Sequence, residues 1–149
     1  MSVAVPNAWS DDALFVGLRI VERLREQMPD LREVTLIDDL AASDAEPRQV
    51  PAAIVLMHSM KPTSTEPLQE RIPVEQLWLV MLAVRSARAD PDRKRSALGP
   101  LIAPCIKALQ GWVPAGTKRA LAWTPGPRPN YGGETAYLPL MFRIQLITT

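Results

Sequence analysis

The residues able to do chemistry are few and poorly placed for it. The chain has one histidine, His58, and one cysteine, Cys105. A lone histidine leaves no His-rich metal site and no pair of histidines at helical spacing. Ser/His/Asp hydrolysis would need His58 as its base, yet no G-x-S-x-G-like turn presents a nucleophile. At the end of an apolar strand, His58 is expected to be a partly buried structural side chain. Cys105 falls on the apolar stripe of a helix, where a free cysteine behaves as a small hydrophobe. Asp38-Asp39 and Asp90/Asp92 could form acid–base pairs, but both sit at expected helix starts, where aspartate commonly caps. Gly132-Gly133 precedes a strand and lacks the strand-to-helix setting of a phosphate loop, so it reads as a turn. Arg93-Lys94-Arg95 is too short for a nucleic-acid tract. It reads as a solvated face, with a phosphate or partner contact as the alternative. The residues therefore give no catalytic set, no metal ligands and no cofactor site.

The aromatic residues are sparse but grouped. Trp112, Trp123 and Tyr131 flank a Pro/Gly-rich excursion, Thr124-Pro125-Gly126-Pro127-Arg128-Pro129-Asn130-Tyr131-Gly132-Gly133. Three readings stand: a satellite cluster sealing the loop against a sheet, a ligand pocket, or anchors for a neighbouring subunit, since Trp, Tyr and Arg dominate buried contacts. A pocket would need convergent polar groups, and Arg128, Asn130 and Glu134 are the few on offer. Trp9, just before Ser10, is either a staple onto the first helix or an exposed anchor.

Composition bounds what these residues can belong to. A chain of 149 residues fits one domain spanning 1–149, with residues 1–9 extended. Seventeen Lys+Arg against sixteen Asp+Glu leaves it nearly neutral, without the basic excess that phosphate-backbone binding needs. No apolar run reaches the roughly 18 residues of a membrane span, and Met1 to Pro6 shows no secretory pattern. The 15 prolines cluster between periodic segments, which points to stiff, shaped loops.

The elements follow from periodicity. Ser10 is the expected N-cap of a first helix, with Asp11 and Asp12 on its first turn. Leu14, Leu18, Val21, Leu24 and Met28 give its apolar face, and Pro29 stops it. Val34 to Ile37 is expected to be a short strand and Asp38 to Ser43 a helical turn. A loop from Glu46 to Pro51 leads into a buried strand, Ala52 to Met57. Leu77 to Val84 is apolar on both faces, as a central strand would be, and is expected to pair antiparallel with it. Between them Ser59 to Pro73 is read as a long projecting loop.

A second stripe, Leu98, Leu101, Ile102, Cys105, Ile106, Leu109 and Trp112, predicts a helix ending at Gly111. Pro100 and Pro104 predict a break near Gly99-Pro100, with both prolines near the start of a shorter helix. Arg119 to Trp123 and Tyr137 to Ile147 are expected strands, the latter burying Leu140, Phe142, Ile144 and Leu146. Pro139 is expected at the beginning of that strand or on an edge. Together these make an α+β fold: a mainly antiparallel sheet of about four strands with two principal helices on one face.

In this order the parts resemble the tail terminator (tail completion) proteins of long-tailed phages, especially the Mu-like group. The resemblance runs through the first helix ending in Met28-Pro29, Pro51-Ala52-Ala53-Ile54-Val55 and Glu75-Gln76-Leu77-Trp78-Leu79-Val80. It continues through Ala108-Leu109-Gln110-Gly111-Trp112-Val113-Pro114, the loop containing Tyr131, and the strand around Phe142-Arg143. No single piece is specific; their order on so short a chain is.

The resemblance implies a hexameric ring that caps the head-proximal end of the tail tube and stops its polymerisation. Its partners would be copies of itself, the tail tube protein and a head–neck connector protein, with DNA passing through the lumen without specific binding. The two projecting loops, 59–73 and 124–135, would supply the contacts: Lys61, Glu66, Glu70 and Arg71 from the first, Arg128 and Tyr131 from the second. Trp9, Trp123 and Arg93-Lys94-Arg95 are the further interface candidates. Another neck component, a connector or stopper, is the nearest alternative. A small α+β ligand-binding or enzymatic domain is the alternative from a different class.

Overall fold

The computed structural model describes residues 12–37, 47–64, 72–85, 91–130 and 134–148. In chain order they form α1 (Phe15–Gln27), β1 (Glu33–Leu36), β2 (Ala52–Pro62), β3 (Ile72–Arg85), α2 (Pro91–Leu109), β4 (Ala122–Thr124) and β5 (Thr135–Thr148). The order of helices and strands is the one the sequence predicts. The five strands make one sheet, β1-β2-β3-β5-β4, one strand more than the expected four because the short β1 and β4 both join its edges.

β2, β3, β5 and β4 pair antiparallel, but β1 and β2 run parallel. Parallel neighbours need a return connection of about a dozen residues or more, and residues 37–51 are long enough to provide it. Asp38 to Ser43, with the expected helical turn and the Asp38-Asp39 pair, lies outside the described residues, as does Asp90.

Alternation along the strands divides the sheet into two apolar faces. Ala53, Val55, Trp78, Val80, Leu82, Leu140, Phe142 and Ile144 point to one face and share a core with α1 and α2. Ile54, Leu56, Leu79 and Met141 point to the other, where no helical residue joins their cluster. Both helices thus lie on one side. β3 sits between β2 and β5 and buries residues on both faces, as its unbroken apolar run requires.

α1 starts later than its sequence suggests. Ser10 and Asp11 lie outside the described residues, and the helix opens at Phe15, after a turn in which the Leu14 N–H donates to Asp12 Oδ1 at 2.9 Å. The Asp12 carboxylate orders the turn leading into the helix, and no side chain caps the helix itself, whose N-cap residue is Leu14. The buried face also rotates: Phe15, Val16, Gly17, Ile20, Val21 and Leu24 are buried, while Leu14 and Leu18 are only partly so. Gly17 explains the rotation. A Cβ there would stand 2.5 Å from Trp78 Cζ3 and 2.8 Å from Leu36 Cδ1, so the bare backbone of α1 rests on the Trp78 ring.

α2 is continuous through both prolines, against the expected break. Pro100 and Pro104 are four residues apart, on the same exposed side. The carbonyls they deprive of a donor, those of exposed Ser96 and of Pro100 itself, therefore face water, which can satisfy them. The opposite side buries Leu98, Cys105, Ala108 and Leu109 in the core. Gly111, at φ 78°, ends the helix as expected, in a conformation that favours glycine.

Pro139 stands inside β5, at its fifth residue, opposite Met81. The Asn130–Tyr137 pair exchanges both backbone hydrogen bonds on the β4 side of β5. Peptide groups alternate sides along a strand, so residue 139 also faces that way, between this bridge and the start of β4 pairing at Met141. Locally Pro139 is an edge residue, as its chemistry demands.

Candidate functional site

The candidate surface is built from strand ends. β2 and β3 pair as far as Pro62 opposite Val74, and Thr63 N–H donates to the Pro73 carbonyl at 3.0 Å. Both ends of the expected loop 59–73, residues 59–62 and 72–73, are therefore strand, while residues 65–71 lie outside the description. β5 runs alongside to Thr148, opposite Ile72. This end of the sheet exposes Met60 (44%), Ile72 (45%) and Ile147 (56%), large apolar side chains on both faces.

A polar network anchors the exposed end to the helix layer. Gln76 is fully buried; its Nε2 donates to the Ala13 carbonyl at 2.8 Å, and its Oε1 accepts from Trp78 Nε1 at 3.0 Å. Gln76 Nε2 also lies 3.4 Å from Met60 Sδ. On the opposite face Lys61 Nζ is 3.6 Å from Glu75 Oε1. The hairpin is thus braced on both faces where it leaves the core.

The second region surrounds the end of α2. Arg23 reaches across from α1, donates from Nε to the Ala108 carbonyl at 3.0 Å, and lies 5.3 Å from the Trp112 ring centroid. This combines a charge-assisted hydrogen bond with a cation–π contact. Trp112 packs against the core, whereas Trp123 is 54% exposed. Trp123 keeps its backbone in place by donating its N–H to Gln110 Oε1. Trp112 is thus a structural residue and Trp123 a free aromatic surface. Arg128 is exposed on the 125–130 excursion.

The structure places the described sequence-derived candidates on separate elements. Lys61 lies on the β2–β3 hairpin rather than in a loop, and Trp123 lies on the β4 edge. Arg93 is exposed near the start of α2, with Lys94 and Arg95 on the same helix. Trp9, Glu66, Glu70, Arg71 and Tyr131 fall outside the described residues. Sequence reasoning missed Met60, Ile72 and Ile147, although Ile147 stood on the mixed face of its alternating strand. It also missed Gln76, a polar residue inside an apolar run, which signals a buried network.

His58 corrects another expectation. It is the extra residue of a bulge between Met57 and Ser59 and is exposed rather than partly buried. Cys105 is buried as expected, and desolvation pushes its thiol up to about 12. Among the described residues no group of His, Cys, Asp and Glu could hold a metal ion. No described helix is long and apolar enough to cross a membrane.

Residues 10–149 match the family model described as phage tail terminator protein. A search of curated proteins found no match.

Proposed function

The chain belongs to the phage tail terminator protein family, and from that premise we propose that it forms a ring, a hexamer, on the head-proximal end of the tail tube. Membership gives it a structural part in a phage tail, and so a place in the virion. The finer reading is that the ring ends tube polymerisation, presents its far side to a head–neck connector protein, and lets DNA through its lumen without gripping it.

The match across nearly the whole chain carries this reading. The geometry supports it in two ways. A head-to-tail ring closes only if each subunit holds a fixed angle to the next, and a five-stranded sheet backed by two helices is a stiff protomer. The hairpin end then leaves three large apolar side chains, Met60, Ile72 and Ile147, exposed for contact. A net charge of +1 suits a conduit for DNA.

The hairpin, with Lys61 on its described part and Glu66, Glu70 and Arg71 in its connection, is proposed to touch the tube or the adjacent subunit. Replacing residues 65–71 by a tight Asn-Gly turn tests this, because it joins Ser64 to Ile72 in the existing β2–β3 register and the ladder remains. The expected product is a folded protein that no longer limits tail length in an infection supplied with it. Tails of normal length from that variant would refute the hairpin's role.

A further inference from the structure

β4 pairs with β5 only from Ala122 opposite Arg143 to Thr124 opposite Met141. Just upstream the chain is pulled the other way: the Leu121 N–H donates to the Trp112 carbonyl, and the Leu121 carbonyl accepts from the Gly111 N–H, both at 2.9 Å. The two chains splay, leaving an open cavity of about 280 Å³ lined by Arg119, Ala120, Ala122, Arg143 and Gln145.

Two unmet capacities meet there. The first is backbone pairing. Alternation from the Asn130–Tyr137 bridge through an unshifted ladder puts the peptide groups of Gln145 and Ile147 on the outer side of β5. Among the described residues no strand pairs with β5 on that side beyond Arg143. The second is charge. Neither the Arg119 nor the Arg143 guanidinium has a hydrogen-bond or ion-pair partner among the described residues. The carboxylate nearest by register, Glu75 opposite Gln145, is engaged by Lys61. Ile147, on the same sheet face as Arg143, adds an exposed apolar contact.

We propose that this opening receives an extended, carboxylate-bearing segment of a partner protein, which adds as a strand beside Gln145 and Ile147 and seats its acidic side chain between Arg119 and Arg143. An open strand edge recognises a peptide backbone, and a pair of guanidiniums favours planar carboxylates. A DNA backbone is the weaker fit, because it would need a row of cations along the surface rather than one pair in a cleft. The proposal rests on the tail-terminator reading only in placing the partner within a phage tail.

The test is an NMR titration of the full chain with an alternating valine–glutamate peptide. Its valine–glutamine counterpart and inorganic phosphate are the comparison probes. Binding of the glutamate peptide should shift the Gln145 and Ile147 amides. The R119E/R143E double variant, at an unchanged thermal midpoint, should bind it at least about tenfold more weakly, as loss of charge-assisted hydrogen bonds implies. The glutamine peptide should bind the unaltered protein with a similar deficit. Unmoved amides, equal binding by the double variant, or phosphate competing as well as the peptide would each overturn the proposal. None of these outcomes bears on whether the protein caps tubes, which is measured separately with tubes.

Discussion

Gly17 meets Trp78 so closely that one methyl group is a severe test of the packing. Alanine is the better helix former by roughly 1 kcal/mol, so a helix-propensity argument predicts that Gly17→Ala stabilises. The structure predicts the reverse. A Cβ 2.5 Å from the Trp78 ring must push the helix or the ring aside, and overpacking of this kind costs about 1–3 kcal/mol. A lowered thermal midpoint supports the contact, and a raised one contradicts it.

Cys105 gives a pH prediction at the same scale. Its folded thiol stays protonated to about 12, above the ordinary value of 9.0, because burial penalises the thiolate. The unfolded chain therefore loses this proton first as pH rises. Its contribution to stability is complete below about pH 9 and declines towards pH 12. The same burial predicts that a thiol reagent at pH 8 labels Cys105 only under denaturing conditions; rapid labelling of the folded protein would contradict this. Burial of Cys105 was legible from its stripe. The exposure of His58 was not, because a bulge depends on the register of two strands and leaves no mark in one of them.

At the scale of elements, α2 shows how local rules yield to packing. An interior proline costs about 3 kcal/mol, and two of them predict a broken helix. The buried side, Leu98, Cys105, Ala108 and Leu109, is instead continuous, and the defects face water. Pro100→Ala and Pro104→Ala should each raise stability by roughly 1–2 kcal/mol, the helical gain less about 1 kcal/mol for the freer unfolded chain. Helical circular dichroism should not fall; a loss of helix or of stability would mean that the prolines shape α2 actively. Periodicity made the other elements readable, from the α1 stripe to the alternation of β5. It could not reveal that β2 continues through Met60 and Lys61 with β3 beginning at Ile72, because polar, proline-flanked residues look like loop until a partner strand holds them. The parallel pairing of β1 and β2 was hidden for a similar reason: direction is set by where residues 37–51 lead the chain, not by either strand.

The described residues form a helix-backed sheet that leaves the hairpin end and the outer side of β5 beyond Arg143 without a partner strand. The described candidate residues spread over the hairpin, the β4 edge and the start of α2. That distribution suits a subunit meeting several neighbours better than a site holding one small molecule. The order of elements was enough to suggest the family from sequence, while the contact surfaces needed three dimensions, since Met60, Ile72 and Ile147 reach the same end of the sheet only through strand register. In the proposed function, copies of this chain close on one end of a tail tube. Electron microscopy of the purified protein mixed with its cognate tubes measures this directly. The expected result is a ring at a single end of each tube and no further growth there when tube protein is added. Bare ends that keep elongating in excess protein would contradict it.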